Sequence, residues 1–583
     1  MKKQWLLKRT KNEYEKIEFL TGIDKSILKI LANRGITSIP DIYRYMDPSL
    51  KNMYNPFLMT DMREGAEIIY NGIKNNEKIV IYGDYDADGI TSTSILYKGI
   101  SCLEGKISYY LPDREQEGYG LNIESIDKLK AEGNQILLTC DNGISSNDQV
   151  SYAKAIGFKV VVTDHHEVKE TIPEADAVIN PKRDGDKYPF KSLCGAGIAL
   201  KFIQALYSYY KKDIDLDEYL ELAAIGTICD VVDLIDENRI IVKEGLKAIK
   251  KSRNPGILAL IDKSCIKGEN ISSYHIGFIM GPALNATGRL QHAELSVQLL
   301  LTKDFEEASA LAEKLVDLNK KRKQLTEDGY NKIVKQLKDK NSNDKVIVVY
   351  DDSIHESIAG IVAGRIREEF NLPAFVITNG IESLKGSGRS IEEYNMFKEM
   401  SKCSEYLIKY GGHPMAAGFS IEEKNVNLFR DSLNRECSLK EEDIVPKLRI
   451  DNIISIESLT LDFIEKLKVL EPYGKGNEKP IFSSLNVKTR SVKFFGEEKS
   501  IIRISFASEK NGKIINGVMF NGFEEFKIRL SERFGENYVD KLIDNGIFDE
   551  RLDIVYCPEI NSYNGYVNIQ LRIIDFRLSK KSS

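Results

Sequence analysis

The sequence predicts a multi-domain α/β protein, with a parallel-sheet domain first, then a long helix, a second α/β segment and a small β-rich domain at the C-terminal end. Three observations carry that prediction. The chain has 583 residues, too many for one core and enough for three or four domains of about 100–200 residues. From Lys78 onward, short β-branched runs alternate with amphipathic stretches, the pattern of βαβ units. Beyond about Lys440 the pattern changes to strands and turns.

In the first segment, strands are expected at Lys78–Tyr82, Ile107–Leu111, Gln135–Cys140, Phe158–Thr163 and Ala177–Asn180, with helices at roughly Thr91–Cys102, Asn122–Ala131 and Ser146–Ile156. Between Ala293 and Lys340, Ala308, Leu311, Leu315, Leu318 and Leu325 recur at helical spacing, predicting one long amphipathic helix or a helix pair. The polar stretch Lys338 to Asp344 reads as a boundary. A second α/β pattern opens with strand Lys345–Tyr350 and continues through Ala374–Ile377. In the last segment Asn564-Gly565 is a hairpin signal between Ile560 and Ile574.

Hydrophobic content of 42% and charged content of 29% are those of an ordinary globular chain and argue against both disorder and membrane embedding. The opening Met-Lys-Lys-Gln-Trp-Leu-Leu-Lys-Arg has too short an apolar run for a signal peptide, and no stretch reaches the ~18 apolar residues of a membrane helix. A cytoplasmic protein with no membrane partner is expected. The eight cysteines are scattered, without a C-x-x-C pair, as expected of reduced thiols. A net charge of −6 counts against nucleic acid as a partner unless positive charge is gathered locally.

Three strands run directly into polar clusters: Gly83-Asp84-Tyr85-Asp86-Ala87-Asp88-Gly89, Asp141-Asn142-Gly143 and Asp164-His165-His166-Glu167. Open α/β sheets bind ligands at the carboxyl ends of their strands, so these clusters can meet in one cleft. Three carboxylates in the first cluster are unfavourable together without a cation. An EF-hand loop starts the same way but needs Glu where Ile95 stands and a helix where a strand is expected; a solvated acidic turn is the other bland reading. Asp-Asn-Gly alone marks a turn more often than a site, and its position at the end of a buried strand favours the site. The chain has six histidines, and two side by side between Asp164 and Glu167 suit a metal better than a core. One imidazole among carboxylates favours manganese or magnesium over zinc. Asp230, in Gly226-Thr-Ile-Cys-Asp230-Val-Val-Asp233, taken alone reads as a helix cap. Together, Asp84, Asp86, Asp88, Asp141, His165 and Asp230 could surround two cations about 3.5–4 Å apart, the arrangement that activates water for in-line attack on phosphorus.

The order Asp-Tyr-Asp-Ala-Asp-Gly, Cys-Asp-Asn-Gly, Asp-His-His and Cys-Asp-Val-Val-Asp resembles the four motifs of the DHH phosphoesterase superfamily. Over nearly the whole chain the resemblance is to its single-strand-specific exonuclease family, through Pro112–Gly120, Cys194-Gly-Ala-Gly197, Asn285-Ala-Thr-Gly-Arg289, Gly386-Ser-Gly-Arg-Ser390, Gly411-Gly-His-Pro-Met-Ala-Ala-Gly418 and Pro472-Tyr-Gly-Lys-Gly-Asn477. It implies an N-terminal segment (1–50), a parallel-sheet DHH catalytic domain (51–292), a connecting helix (293–344), an α/β DHH-associated domain (345–440) and a C-terminal β-barrel OB-fold (441–583). It also implies 5′-to-3′ degradation of single-stranded DNA in recombination and repair, with two manganese or magnesium ions held by the six residues named above. Asp141 would be the bridging carboxylate, His166 would face the scissile phosphate, and Asp86, Asp88, Asp141 and His166 would be the catalytic set. Which leading aspartate holds which ion stays open. A helicase and a single-strand-binding protein are partners by resemblance alone.

The same resemblance assigns phosphate binding to Arg114, Arg289, Arg389, Gly411, Gly412 and His413, where backbone amides and guanidinium groups can approach an anion closely. Lys488, Arg490, Lys493, Phe494 and Phe495 are the basic and aromatic mixture with which an OB-fold tracks a single strand. Two departures stand out. Ala283 occupies the arginine position of a Gly-Pro-Arg segment, and Ile354-His355-Glu-Ser357 replaces Trp-His-Pro-Gly, so phosphate contacts there are expected to be weaker. Two other functions compete: a phosphodiesterase for a small substrate such as a short oligoribonucleotide, cyclic dinucleotide or pyrophosphate, marked by equal turnover of dinucleotides and long strands, and a catalytically silent scaffold in replication, marked by DNA binding without hydrolysis.

Overall fold

The computed structural model describes residues 3–9, 14–114, 116–267, 271–340, 344–509, 512–563 and 565–579. Glu115, the 341–343 part of the expected boundary and Asn564 of the expected hairpin lie outside the described residues. The chain forms two compact units, Pro48–Val445 and a second made of Met1–Asp47 with Pro446–Ser583.

The larger unit begins on a five-stranded sheet: β1 (Lys78–Tyr82), β2 (Lys106–Tyr110), β3 (Ile136–Cys140), β4 (Lys159–Thr163) and β5 (Ala177–Ile179). All pairings are parallel and the order is β2-β1-β3-β4-β5. Helices α1 (Ala87–Ser101), α2 (Ile123–Ala131) and α3 (Asn147–Ala155) connect the first four strands. The strands read as unbroken apolar runs because both faces are covered. Side-chain alternation divides them between two cores, with Ile79, Ile81, Ile136, Leu138 and Val161 on one side and Val80, Tyr82, Leu137, Val160 and Val162 on the other. The sheet order reverses between β1 and β3, and at such a switch point the loops beyond the strand ends diverge and leave a crevice.

Helices α4 (Gly195–Tyr210), α5 (Asp217–Cys229) and α6 (Gly281–Leu290) pack over the first face. The expected long helical stretch is a pair, α7 (Glu294–Leu301) and α8 (Phe305–Lys340). Ala308, Ala312 and Leu315 of α8 join the first core, whereas Ile333, Leu325 and Leu337 join a separate one farther along the chain. That second core lies against β6 (Ile347–Tyr350), α9 (Glu356–Phe370) and β7 (Ala374–Asn379), which with β8 (Leu384–Arg389), β9 (Leu407–His413) and β10 (Ala416–Ile421) form a sheet in the order β9-β10-β8-β7-β6. Only β6 and β7 pair in parallel.

In the other unit, β11 (Phe482–Phe495), β12 (Ile501–Ala507), β13 (Ile514–Phe520), β14 (Arg551–Tyr563) and β15 (Tyr566–Leu578) close into a ring, because β11 pairs with both β12 and β14. Helix α10 (Phe523–Phe534) stands between the third and fourth strands of the barrel. The N-terminal strand Gln4–Leu7 pairs in parallel with Lys447–Ile450, and Ile27, Leu31 and Tyr45 share the barrel's core with Phe482 and Tyr556. Among the described residues no helix is long and apolar enough to cross a membrane.

Candidate metal centre

The polar clusters after β1, β3 and β4 converge at the switch point. Asp84 and Asp88 are buried, and Asp86 starts α1, its Oδ1 accepting from the amides of Asp88 (2.9 Å) and Gly89 (3.0 Å). That cap draws the helix start back to Ala87, four residues before the expected Thr91. Asp88 is held at the N-terminus of α4, Oδ2 accepting from Gly195 N at 2.6 Å and Oδ1 from Ala196 N at 2.8 Å. The Cys194-Gly-Ala-Gly197 segment thereby acquires a reason: a Cβ on Gly195 would lie 2.8 Å from Asp141 Cβ and 2.9 Å from its Oδ1.

Asp141 follows β3 in left-handed backbone at φ 61°, a conformation rare outside glycine and asparagine and found at functional sites. Asn142 stabilises this turn by donating to the carbonyls of Gly83 (2.9 Å) and Cys140 (3.0 Å), tying the ends of β1 and β3 together. Asp164 plays the corresponding part after β4. Its Oδ1 accepts from the His165 amide (2.7 Å), the His166 amide (3.0 Å) and His166 Nδ1 (2.8 Å), and its Oδ2 accepts from Ile144 N (2.9 Å). Asp230 arrives at the C-terminal cap of α5, so the cap and ligand readings of this residue are compatible.

His165 Nε2 lies 3.0 Å from Asp141 Oδ1 and 3.7 Å from both Asp88 Oδ2 and Asp230 Oδ2. The 3.0 Å approach lacks hydrogen-bond alignment: Asp84 Oδ1, Asp141 Oδ1, His165 Nε2 and Asp230 Oδ2 are all buried without a partner. Three groups bring one atom of each member within 4.8 Å of the others: Asp84, Asp86 and Asp141; Asp88, His165 and Asp230; and Asp141, His165 and His166. Burial, then Asp86, pushes the Asp84 carboxyl well above the carboxylate range, and burial with Asp88 and Asp86 does the same to Asp141. Burial, then Asp86, raises Asp88 to about 6, and burial with Asp88 and Asp86 raises Asp230 to about 8. Burial and the charge on His166 hold His165 down to about 3. For His166, burial is overcome by the hydrogen bond and charge of Asp164, with Asp230 and Asp88 adding, and it rises to about 9. A neutral imidazole among crowded, unpartnered carboxylates is a donor set for hard divalent cations, and the six predicted ligands all lie in it.

The basic residues divide. Arg114 lies over the Tyr85 ring, 5.1 Å from its centroid. Arg289 donates to the Ser357 carbonyl, and burial plus repulsion from Arg114, Arg322 and Arg389 lowers it to about 10. Arg114, Arg322 and Arg389 thus gather around Arg289, which Asp86 also faces, and Arg322 of α8 is one that the sequence did not single out, being one more basic residue in a charged helix. Asn285 Oδ1 accepts from Ala87 N at 2.8 Å, which docks the Asn285–Arg289 segment onto the start of α1. Arg389 pairs across the sheet with Ala416, and Ala416 with His413, which puts Arg389 and His413 in one row on one face. Gly411, Gly412 and His413 are exposed on the edge strand β9. Ala283 is buried in the core, and Ile354 is buried just before α9, where His355 Nδ1 accepts from the Ser357 amide at 3.3 Å.

Tyr119 was legible only as part of a motif. Its hydroxyl donates to the Asp141 carbonyl (3.0 Å) and lies 3.1 Å from His166 Nδ1. In the barrel, Arg490, Lys493 and Phe495 are exposed and Lys488 pairs with Asp549 at 3.3 Å. Phe494 instead packs edge-on against Phe523 and Phe526, with centroids 5.4 and 6.0 Å away.

Aspartates and histidines clustered at the switch point of a parallel sheet are the arrangement of a DHH-type phosphoesterase, and residues 78–227 match the DHH family, N-terminal domain. Residues 343–439 match the DHHA1 domain and 450–575 the RecJ OB domain. The chain belongs to the RecJ family of single-stranded-DNA-specific exonucleases. It is 33% identical to that exonuclease of Bacillus subtilis over 99% of this chain and 71% of that protein, and 32% identical to that of Salmonella typhimurium over 99% of both. The fold superposes on the crystal structure of Thermus thermophilus RecJ in complex with Mn2+ with a TM-score of 0.83, 26% identity, and 99% of this chain and 80% of that one covered.

Proposed function

We propose that this chain hydrolyses single-stranded DNA from its 5′ end, using two manganese or magnesium ions, in recombination and repair. The observation that carries the reading is the set of buried, unpartnered ligand atoms on Asp84, Asp141, His165 and Asp230. Asp84, Asp86 and Asp141 would hold one cation and Asp88, His165 and Asp230 the other, with Asp141, next to His165, placed to serve both. When bound, divalent cations supply a water of lowered pKa and neutralise charge on the attacked phosphodiester. Asp164 fixes His166 so that its Nε2 can donate to a phosphate oxygen. Tyr119 braces Asp141 through its carbonyl, and Arg114, Arg289 and Arg389 neutralise the phosphates of the bound strand. Such a reaction takes place in the cytoplasm, where a helicase would supply the strand and a single-strand-binding protein would coat it.

The test uses long single-stranded DNA labelled at either end, manganese, the Asp141→Ala variant and a blunt duplex. Early release of mononucleotide from the 5′ label only, absent in the variant and on the duplex, is the expected result. No cleavage of any long strand would overturn the reading.

A further inference from the structure

Three large hydrophobic side chains, one next to Asp230 in the chain and two on the turn before α6, face solvent. Asp230 is followed by Val231, which is 58% exposed and stands at φ 58°. A β-branched residue is disfavoured in left-handed backbone, and such strain persists where the surroundings impose it, commonly at functional sites. Tyr274 and Phe278 are 59% and 67% exposed and stack on each other, with ring centroids 5.0 Å apart and planes 27° from parallel. They stand on the turn that leads into α6, where the helical segment Ser273–His275 passes into the π-helical turn Ile276–Met280. π-helical turns are rare and collect at functional sites.

This turn is fixed to the metal centre. A Cβ on Gly277 would lie 3.3 Å from Ile228 Cγ2, and one on Gly281 only 2.2 Å from Cys229 Sγ. Ile228 and Cys229 are the last residues of α5 before Asp230. The turn that carries the aromatic pair is therefore packed against the two residues that precede Asp230. Isolated exposed apolar residues are ordinary. Tyr274 also meets His275 edge-on, with centroids 5.7 Å apart, and the more exposed Phe278 ring, on a turn packed against the end of α5, is a surface for another flat ring.

We infer that Tyr274 and Phe278 form a stacking platform for a nucleobase of the DNA strand held in the metal centre. The platform rests on the single-strand reading above and deepens it, because a base can reach it only when unpaired and splayed from its neighbour. Aromatic stacking tolerates any base, so the platform reads strandedness and not sequence.

Binding is measured with the full chain in chelator, where hydrolysis does not intervene, by fluorescence anisotropy of a labelled oligodeoxyadenylate. Phe278→Leu keeps the apolar bulk and removes the ring, and about ten-fold weaker binding is expected. Phe278→Trp should bind like the parent. Tyr274→Leu is the second variant, and thermal unfolding of all three guards against misfolding. A scan of single abasic positions from the 5′ end should find one position that weakens binding to the parent chain but not to Phe278→Leu. Unchanged affinity in both leucine variants, or the same abasic penalties in parent and variant, would overturn the platform. Loss of cleavage by the parent chain on labelled DNA would instead overturn the exonuclease reading, whatever the binding scan shows.

Discussion

Two of the buried charge clusters in the larger unit are built on opposite principles. Around Glu237 every ionic atom is answered: Oε1 accepts from Lys201 Nζ at 2.7 Å and from Tyr54 N at 2.9 Å, Oε2 accepts from the Tyr188 hydroxyl, and Lys201 also donates to the Tyr54 carbonyl at 2.6 Å. At the switch point, carboxylates crowd together with buried atoms left unanswered. Buried ionic groups that satisfy one another serve architecture, here anchoring the segment around Tyr54 to α4. Groups buried without partners raise the free energy of the empty protein and lower it again only when a cation arrives. Partnering alone thus separates a structural charge cluster from a functional one.

The largest expected effect on stability is at the balanced cluster. Glu237→Gln leaves the Lys201 ammonium buried without its counterion and should cost about 3–5 kcal/mol, read from urea unfolding; a loss below about 1 kcal/mol would place the pair among weak surface bridges. At the other cluster the sign reverses with pH. Asp88 and Asp230 have folded-state values raised to about 6 and about 8 from the ordinary aspartate value of 3.8. The folded state therefore binds protons more tightly than the unfolded chain, and its stabilisation is complete below the unfolded value and lost as pH rises through the folded ones. In chelator the melting temperature should fall as pH rises from 3.8 through about 6 to about 8, and a flat profile would mean that the carboxylates are not crowded. Asp164→Asn, which loosens His166 and the Ile144 loop without removing a ligand, should lower cleavage by about 10–100-fold. The smallest effect belongs to the exposed barrel: Lys488→Ala, which removes one exposed basic side chain paired with Asp549, should change stability by about 0.2–1 kcal/mol and make DNA binding slightly less salt-dependent.

Much of this contrast could be read from the sequence, and the rest failed for definable reasons. The parallel strands were legible to within about a residue, because strands buried on both faces are continuous apolar runs and their ends are marked by Asp and His. The cluster at the switch point was legible because carboxylates and imidazoles gathered at several strand ends repel or desolvate one another unless a cation joins them. Helix α1 was placed late, since Asp86 reads as a candidate ligand before it reads as a cap. The union of residues 1–47 with the barrel rests on the pairing of Gln4–Leu7 with Lys447–Ile450 and on the core that Ile27, Leu31 and Tyr45 share with the barrel, contacts no local pattern announces. Asn142, Gly195 and Asn285 act by holding other residues, so each looks like an ordinary turn or helix residue until the fold supplies its partner. Phe494 shows the converse: an aromatic beside basic residues suggested base stacking, and its ring is occupied by Phe523 and Phe526.

That the buried carboxylates are unstable together until a cation joins them is tested most directly by melting the parent chain and Asp141→Asn in chelator and in manganese. Asparagine tolerates the left-handed backbone at this position, so the substitution isolates the charge. The variant should melt above the parent in chelator and below it in manganese, because saturating metal stabilises the parent by about 3 kcal/mol at roughly a hundred-fold excess over Kd. A variant that melts below the parent in chelator, or a parent that manganese leaves unmoved, would contradict it.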